Sequence, residues 1–192
     1  MPLPGDNIDT DIIIPSREMR SVSKSGLADG LFAGRRYTQI GGREPDPAFV
    51  LNQPQYAGAS ILISGANFGC GSSREHAVWA LAEYGFRVVL AESFSPIFAD
   101  NCIRNGLAPL TFAREDLAAM MTAAEQVQTF AIDLPQGTVT VGECRFRFSL
   151  APEPLEMLVT GADVIALTLN QRDRIEQFRR RDRERRPWVY LD

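Results

Sequence analysis

The chain has 192 residues, enough for one domain or for one domain with an appendage. Hydrophobic residues make up 45% of it, enough for a sizeable core, and a net charge of −4 leaves no electrostatic footprint for nucleic acid. No apolar run approaches a membrane span and the N-terminus lacks the charged and apolar regions of a signal peptide, so the protein reads as cytoplasmic.

Met1 to Gly5 is a turn-like start with two prolines. Asp6 to Asp11 is polar and turn-prone, and Ile12-Ile13-Ile14 reads as a short strand stopped by Pro15. Three aspartates here could suggest calcium, but the EF-hand glycine and glutamate are missing, and Asx turns explain the segment. Ser16 to Ser25, with Arg17, Arg20 and Lys24, reads as a solvated loop. Residues 26–34 form a short helix or turn, and residues 35–54 a long irregular connection of the kind that is functional or mobile.

From Ala59 the pattern alternates. Residues 59–64 predict a buried strand, 77–84 a helix, 86–91 a strand, 94–105 a helix closed by Gly106, and 107–112 a third strand. That order implies right-handed crossovers and a parallel sheet, with ligands at the strand C-termini. Residues 114–128 read as a surface helix. Residues 130–134 and 138–141 form a hairpin across Pro135-Gln136-Gly137, and 144–150 a half-buried strand. Then come a short helix over 153–159, a turn and apolar strand over 161–169, and an arginine-rich helix over 170–186. Such a charge run is usually a solvated helix; the alternative is a surface for an acidic partner. There is no internal repeat.

The stretch that carries chemistry is Gly65-Ala66-Asn67-Phe68-Gly69-Cys70-Gly71-Ser72-Ser73-Arg74-Glu75-His76, which joins the first predicted strand of the sheet to a helix. Unpaired N–H groups at a helix start attract an anion, and Arg74 adds a planar fork that matches a carboxylate. The same residues fit a capping box, with Ser72 as N-cap and Glu75 at N3, and taken alone that is the commoner use. Three glycines and Arg74 count against a cap alone, because glycine is costly unless positive φ or a close approach requires it. No phosphate-loop pattern fits.

The cysteines, Cys70, Cys102 and Cys144, are odd in number and widely spaced, so no self-contained zinc or iron–sulfur site can be read, and a reduced compartment fits best. Cys102 and Cys144 read as buried apolar residues. Cys70 could be a nucleophile only with His76 as its base, six positions away across a turn.

Asn67-Phe68-Gly69-Cys70-Gly71-Ser72-Ser73-Arg74-Glu75-His76-Ala77 closely resembles the signature of 3-isopropylmalate dehydratase small subunits, which correspond to the swivelling domain of the aconitase family. Asp6-Asn7-Ile8-Asp9-Thr10-Asp11 with Ile12-Ile13-Ile14-Pro15 resembles the family's second signature. Ser93 to Phe98, Asn101, Asn105-Gly106-Leu107 and Gly161 to Leu169 follow in the family's order. Family members carry a strand before Asp6, which implies a short or truncated N-terminus here. The resemblance implies an α/β fold: a swivelling β/β/α domain across 1–192, with a mainly parallel sheet, flanking helices, an added β layer and the charged C-terminal helix at about 170–186.

It also implies a hydro-lyase that interconverts 2- and 3-isopropylmalate in leucine biosynthesis, active only with a large subunit that holds a [4Fe–4S] cluster. No cofactor or metal is then expected on this chain. By position, Ser72 matches the catalytic base, Ser73 and Arg74 match residues that hold substrate carboxylate, and Asp11 matches an acidic residue at the site's edge. His76 receives no chemical role; a helix-end hydrogen bond is its expected use. Arg17, Glu18, Met19 and Arg20 fall in the family's specificity loop. Family members usually carry an aromatic residue and a leucine there, whereas Glu18 stands in the aromatic position. A small subunit for a related diacid (methylmalate/citraconate, dimethylmalate or maleate) is therefore the alternative within the class. A dicarboxylate-binding module without turnover is the alternative outside it.

Overall fold

The structure, a computed structural model, describes residues 1–19 and 23–190. Its first segment runs parallel beside the central sheet, with Leu3 N–H donating to the Ile63 carbonyl at 2.8 Å. Thr10–Ile13 is a single helical turn, α1, where the apolar run predicts a strand. Asp9 decides the difference: its carboxylate accepts the Ile12 N–H at 2.7 Å and so caps the turn. Ile13 and Ile14 are fully buried, so the apolar run is core in either conformation. Short 3₁₀ turns at Ser16–Glu18 and Ala28–Gly30 precede helix α2 (Ala33–Arg36), and two more punctuate the connection that follows.

The predicted alternation holds from there. Strand β1 (Ile61–Ile63), helix α3 (His76–Tyr84), strand β2 (Val88–Ala91), helix α4 (Pro96–Arg104) and strand β3 (Ala108–Thr111) follow one another. The three strands are parallel in the order β1-β2-β3, with Ile63 opposite Leu90 and Leu90 opposite Leu110. Both sheet faces are covered, as a parallel sheet requires. Leu62, Val89 and Ala91 pack with Val78, Leu81, Phe98 and Cys102 of the two helices. Ile63, Leu90 and Leu110 pack on the opposite face.

That second face is covered by helix α5 (Arg114–Glu125), through Leu117, Met120 and Ala124. An antiparallel sheet of strands β4 (Phe130–Asp133), β5 (Thr138–Val141) and β6 (Cys144–Arg147) adds Val139 to the same core. The architecture is therefore the expected β/β/α arrangement of parallel sheet, flanking helices and added β layer. Helix α6 (Pro152–Thr160) ends at Gly161 in the left-handed conformation. Two expectations fail nearby. Val164–Leu169 is a helix, α7, not a strand, because Asp163 caps it by accepting the Ala166 N–H at 2.7 Å; a short apolar run does not distinguish the two forms by period. Cys144 is exposed, since it opens the edge strand β6 instead of facing the core. Helix α8 (Arg172–Arg185) has no buried residue. No described helix is long and apolar enough to cross a membrane.

Candidate active site

The glycine loop leaves β1 at the C-terminal edge of the parallel sheet and lies along the Asp6–Asp11 segment. Backbone hydrogen bonds join the two: Asn7 N–H to Ala66 O and Gly69 N–H to Ile8 O, both 2.8 Å, and Thr10 N–H to Cys70 O at 2.9 Å. The Asp6 carboxylate accepts the Ala66 N–H at 2.8 Å and pairs with Arg114 at 3.4 Å. The Ala66 N–H, and after it the Arg114 charge, hold the Asp6 carboxyl below the usual carboxylate range. Two motifs distant in sequence thus form one ribbon.

The same ribbon explains the glycines. A Cβ on Gly65 would overlap the Asp6 carboxylate and the Gly5 carbonyl, and one on Gly69, at φ +74°, would overlap the Phe98 ring. Phe98 stands against Phe68, whose ring centroid is 5.4 Å away. Close approach is the reason for both glycines, as glycine's cost suggests, but the approaching group is the protein itself. Only Gly71, at φ +94°, lies where the loop turns outward.

The capping box does not form. Helix α3 begins at His76, with Glu75 as N-cap and no side-chain cap. Ser72 and Ser73 are exposed in the loop, and Ser72 N–H donates to the buried Thr10 hydroxyl at 3.1 Å. The Ser72 hydroxyl has no hydrogen-bond partner among the described residues, so it is not spent on folding. The backbone N–H groups of Ser73, Arg74 and Glu75 also find no acceptor among the described residues. Arg74 is held by the Asp11 carboxylate, which accepts from its guanidinium and also takes the Ser16 hydroxyl at 3.3 Å. Two exposed hydroxyls, three free N–H groups and a positioned guanidinium therefore share a single loop. Such a set can bind a carboxylate and can stabilise a developing oxyanion. The His76 ring lies against Trp79, tilted by 51° with centroids 4.7 Å apart, and no ring hydrogen bond is seen among the described residues.

A cleft of about 510 Å³ is lined by Asp9, Asp11, Ile12, Pro15, Arg17 and Arg35 among others; Ser72, Ser73 and Arg74 do not line it, and it meets the loop through Asp11, which holds Arg74. Glu18 does not face it as a free carboxylate. Its side chain is 5% exposed and clamped between Arg17 at 3.3 Å and Arg43 at 2.6 Å. Met19 packs against the main core. Of the predicted specificity residues only Arg17 lines the cleft; Arg20 lies outside the described residues. Cys102 is buried, Cys70 half-buried and Cys144 exposed, and no group of His, Cys, Asp or Glu among the described residues could hold a metal ion.

The aconitase C-terminal domain family matches residues 1–115, which hold both motifs and the whole parallel sheet. A 3-isopropylmalate dehydratase small subunit of Cupriavidus necator is 52% identical over 195 residues, spanning 100% of this chain and 94% of its own. The chain belongs to the 3-isopropylmalate dehydratase small-subunit family. A second small subunit, from Rhodospirillum centenum, is 44% identical and covers 95% of this chain and 91% of its own. A crystal structure of 3-isopropylmalate dehydratase from Methanocaldococcus jannaschii superposes with a TM-score of 0.64 at 26% identity, covering 92% of this chain and 95% of that one.

Within this small-subunit fold, several contributors escape a reading by motif. Thr10 is buried under the loop and fixes Ser72; its place between two aspartates of the signature was the available signal. Arg43 clamps Glu18 from across the long irregular connection, and Arg35 reaches the cleft from α2. Neither carries a sequence signal, because their contacts are set by how separate loops fold together.

Proposed function

We propose that this chain is the small subunit of a 3-isopropylmalate dehydratase, a single swivelling domain with its charged C-terminal helix, working with a large subunit on a small dicarboxylate. The observation that carries the reading is the apposition of the Asp9-Thr10-Asp11 and Ser72-Ser73-Arg74 segments in a chain 52% identical to a named small subunit. A reduced cytoplasmic setting suits its three free thiols.

The reaction removes a proton from one carbon and hydroxide from its neighbour, then returns water in the opposite sense. Ser72 Oγ, as alkoxide, takes the C–H proton. A serine hydroxyl is too weak an acid to ionise unaided, so its anion needs local support. Helix α3 starts four residues later, which leaves the free N–H groups of the loop and the Arg74 charge to supply that support. Ser73 and Arg74 hold a substrate carboxylate; Asp11 orients the Arg74 fork. Ile12 and Pro15 form the apolar part of the cleft wall and would take the alkyl group, with Arg17 at its polar side. The [4Fe–4S] cluster, whose Lewis acidity acts on the departing hydroxyl, is assigned to the large subunit, because the cysteines of this chain are scattered.

Co-expression with the large subunit, anaerobic cluster reconstitution and assay over 2- and 3-isopropylmalate, methylmalate, citraconate, dimethylmalate and maleate test the reading. Highest kcat/KM on isopropylmalate supports it. Preference for another diacid overturns the substrate, and binding without turnover of any of them overturns the enzyme.

A further inference from the structure

The Asn105-Gly106-Leu107 motif is not used by the reaction as described, yet Asn105 sits at a junction. It is the C-cap of α4, half-buried, and all of its amide groups are engaged. Its Nδ2 donates to the Glu75 carboxylate at 2.7 Å and to the Asn101 carbonyl at 2.8 Å. Its Oδ1 accepts from Trp79 Nε1 at 3.0 Å and from Lys24 Nζ at 3.1 Å. A carboxamide is the side chain that offers two donors and two acceptor sites at once.

Two of those contacts lead to the reaction site. Glu75 is the residue after Arg74 and the N-cap of α3, so its side chain fixes the point where the loop passes into the helix. Lys24, which follows the Arg17–Arg20 segment in sequence, also lies over the Trp79 ring at 5.2 Å. The residues after Lys24 are held from the same helix, where the Glu83 carboxylate accepts the Gly26 and Ala28 N–H groups at 2.6 and 2.9 Å. Ser72 has an independent anchor in Thr10, whereas Arg74 is positioned by Asp11 and by its link to Glu75.

We propose that Asn105 is a positioning residue that locks Arg74, through Glu75, in register with the Lys24–Ala28 segment, through Lys24. The kinetic part rests on the dehydratase reading above. Because Ser72 is held separately, loss of Asn105 acts mainly on substrate binding.

The test uses Asn105→Asp, which keeps the shape but turns a carboxylate toward Glu75, and the double variant Asn105→Asp/Glu75→Gln, which restores a donor–acceptor pair. In the reconstituted complex, Asn105→Asp should raise KM by about tenfold with a smaller change in kcat, and the second substitution should recover most of the loss. In the full chain alone, backbone hydrogen exchange over 77–79, whose N–H groups donate to the Arg74 and Glu75 carbonyls, and over 23–28 should quicken in the single variant and slow again in the double. If Asn105→Asp does not fold, Lys24→Met and Glu75→Met are read separately, each quickening exchange in its own segment. A KM within twofold of wild type, a loss confined to kcat, no recovery in the double variant, or unchanged exchange in both segments overturns the proposal. A wild-type complex that turns over no diacid overturns the function instead, and the exchange experiment still decides the role of Asn105.

Discussion

The glycine loop at 65–75 and helix α8 are both polar, charged segments, and they are held in opposite ways. The loop is tied on one side to Asp6–Thr10 and on the other to Phe98 and Asn105, so close that two of its positions admit no Cβ. Helix α8 carries seven arginines against four carboxylates and buries nothing. Its contacts are local: Tyr190 and Arg186 both reach Asp182, at 2.8 and 2.7 Å, and Arg172 pairs with Glu176 at 3.5 Å. The contrast teaches that polarity does not separate a built site from a solvated surface. What separates them is whether the backbone is fixed from outside the segment.

The largest effect is expected at Ser72. Ser72→Ala should lower kcat by about a thousandfold, the range for loss of a proton-transfer group, and leave the melting temperature unchanged, since the hydroxyl neither caps a helix nor bonds a neighbour. Retained turnover, or a clear drop in melting temperature, would return Ser72 to a structural role. Gly69→Ala should cost about 3 kcal/mol, from overpacking against Phe98 and a positive φ that alanine resists; denaturant unfolding measures it, and a loss under 1 kcal/mol would mean that the loop is not clamped as described. Arg74→Lys should lower kcat/KM by about thirtyfold, because lysine keeps the charge and loses the fork that Asp11 and a carboxylate share. A rate within twofold of wild type would reduce Arg74 to a general field.

Asp6 gives a smaller, pH-dependent effect. Its folded carboxyl titrates below its ordinary value, so its contribution is present above that value and fades as pH falls through the depressed one. Urea midpoints measured from pH 6 to pH 3 should therefore fall below about pH 4 in the wild type, and Asp6→Asn should flatten that limb. An unchanged acid limb would remove Asp6 as an anchor of the loop. The smallest effect is expected in α8, where Ile175→Glu should shift stability by less than about 0.5 kcal/mol, as for an exposed surface position. A loss of 2 kcal/mol or more would reveal packing that makes α8 resemble the loop.

The sequence by itself determined the alternation from β1 to β3 and the parallel sheet, since runs such as Ile61–Ile63 and Val88–Ala91 have one outcome once helices separate them. It also marked both motifs of the candidate site, because glycines, paired hydroxyls and a lone arginine between a strand and a helix are legible as residue types. Tertiary structure alone decided how they meet. Asp9 turned an apolar run into α1, and Asp163 did the same for α7, because a single cap outweighs a short run with no clear period. Helix α3 began at His76 although the letters of a capping box precede it, since Thr10 takes the Ser72 backbone and Asn105 takes the Glu75 carboxylate. Arg43 closed on Glu18 from a distant loop. The two caps are local, each carboxylate taking an N–H three residues on, and only their strength against a short apolar run was illegible; the start of α3 and the Arg43 clamp depend on partners far away in the chain, and local sequence carries no information about which partner arrives.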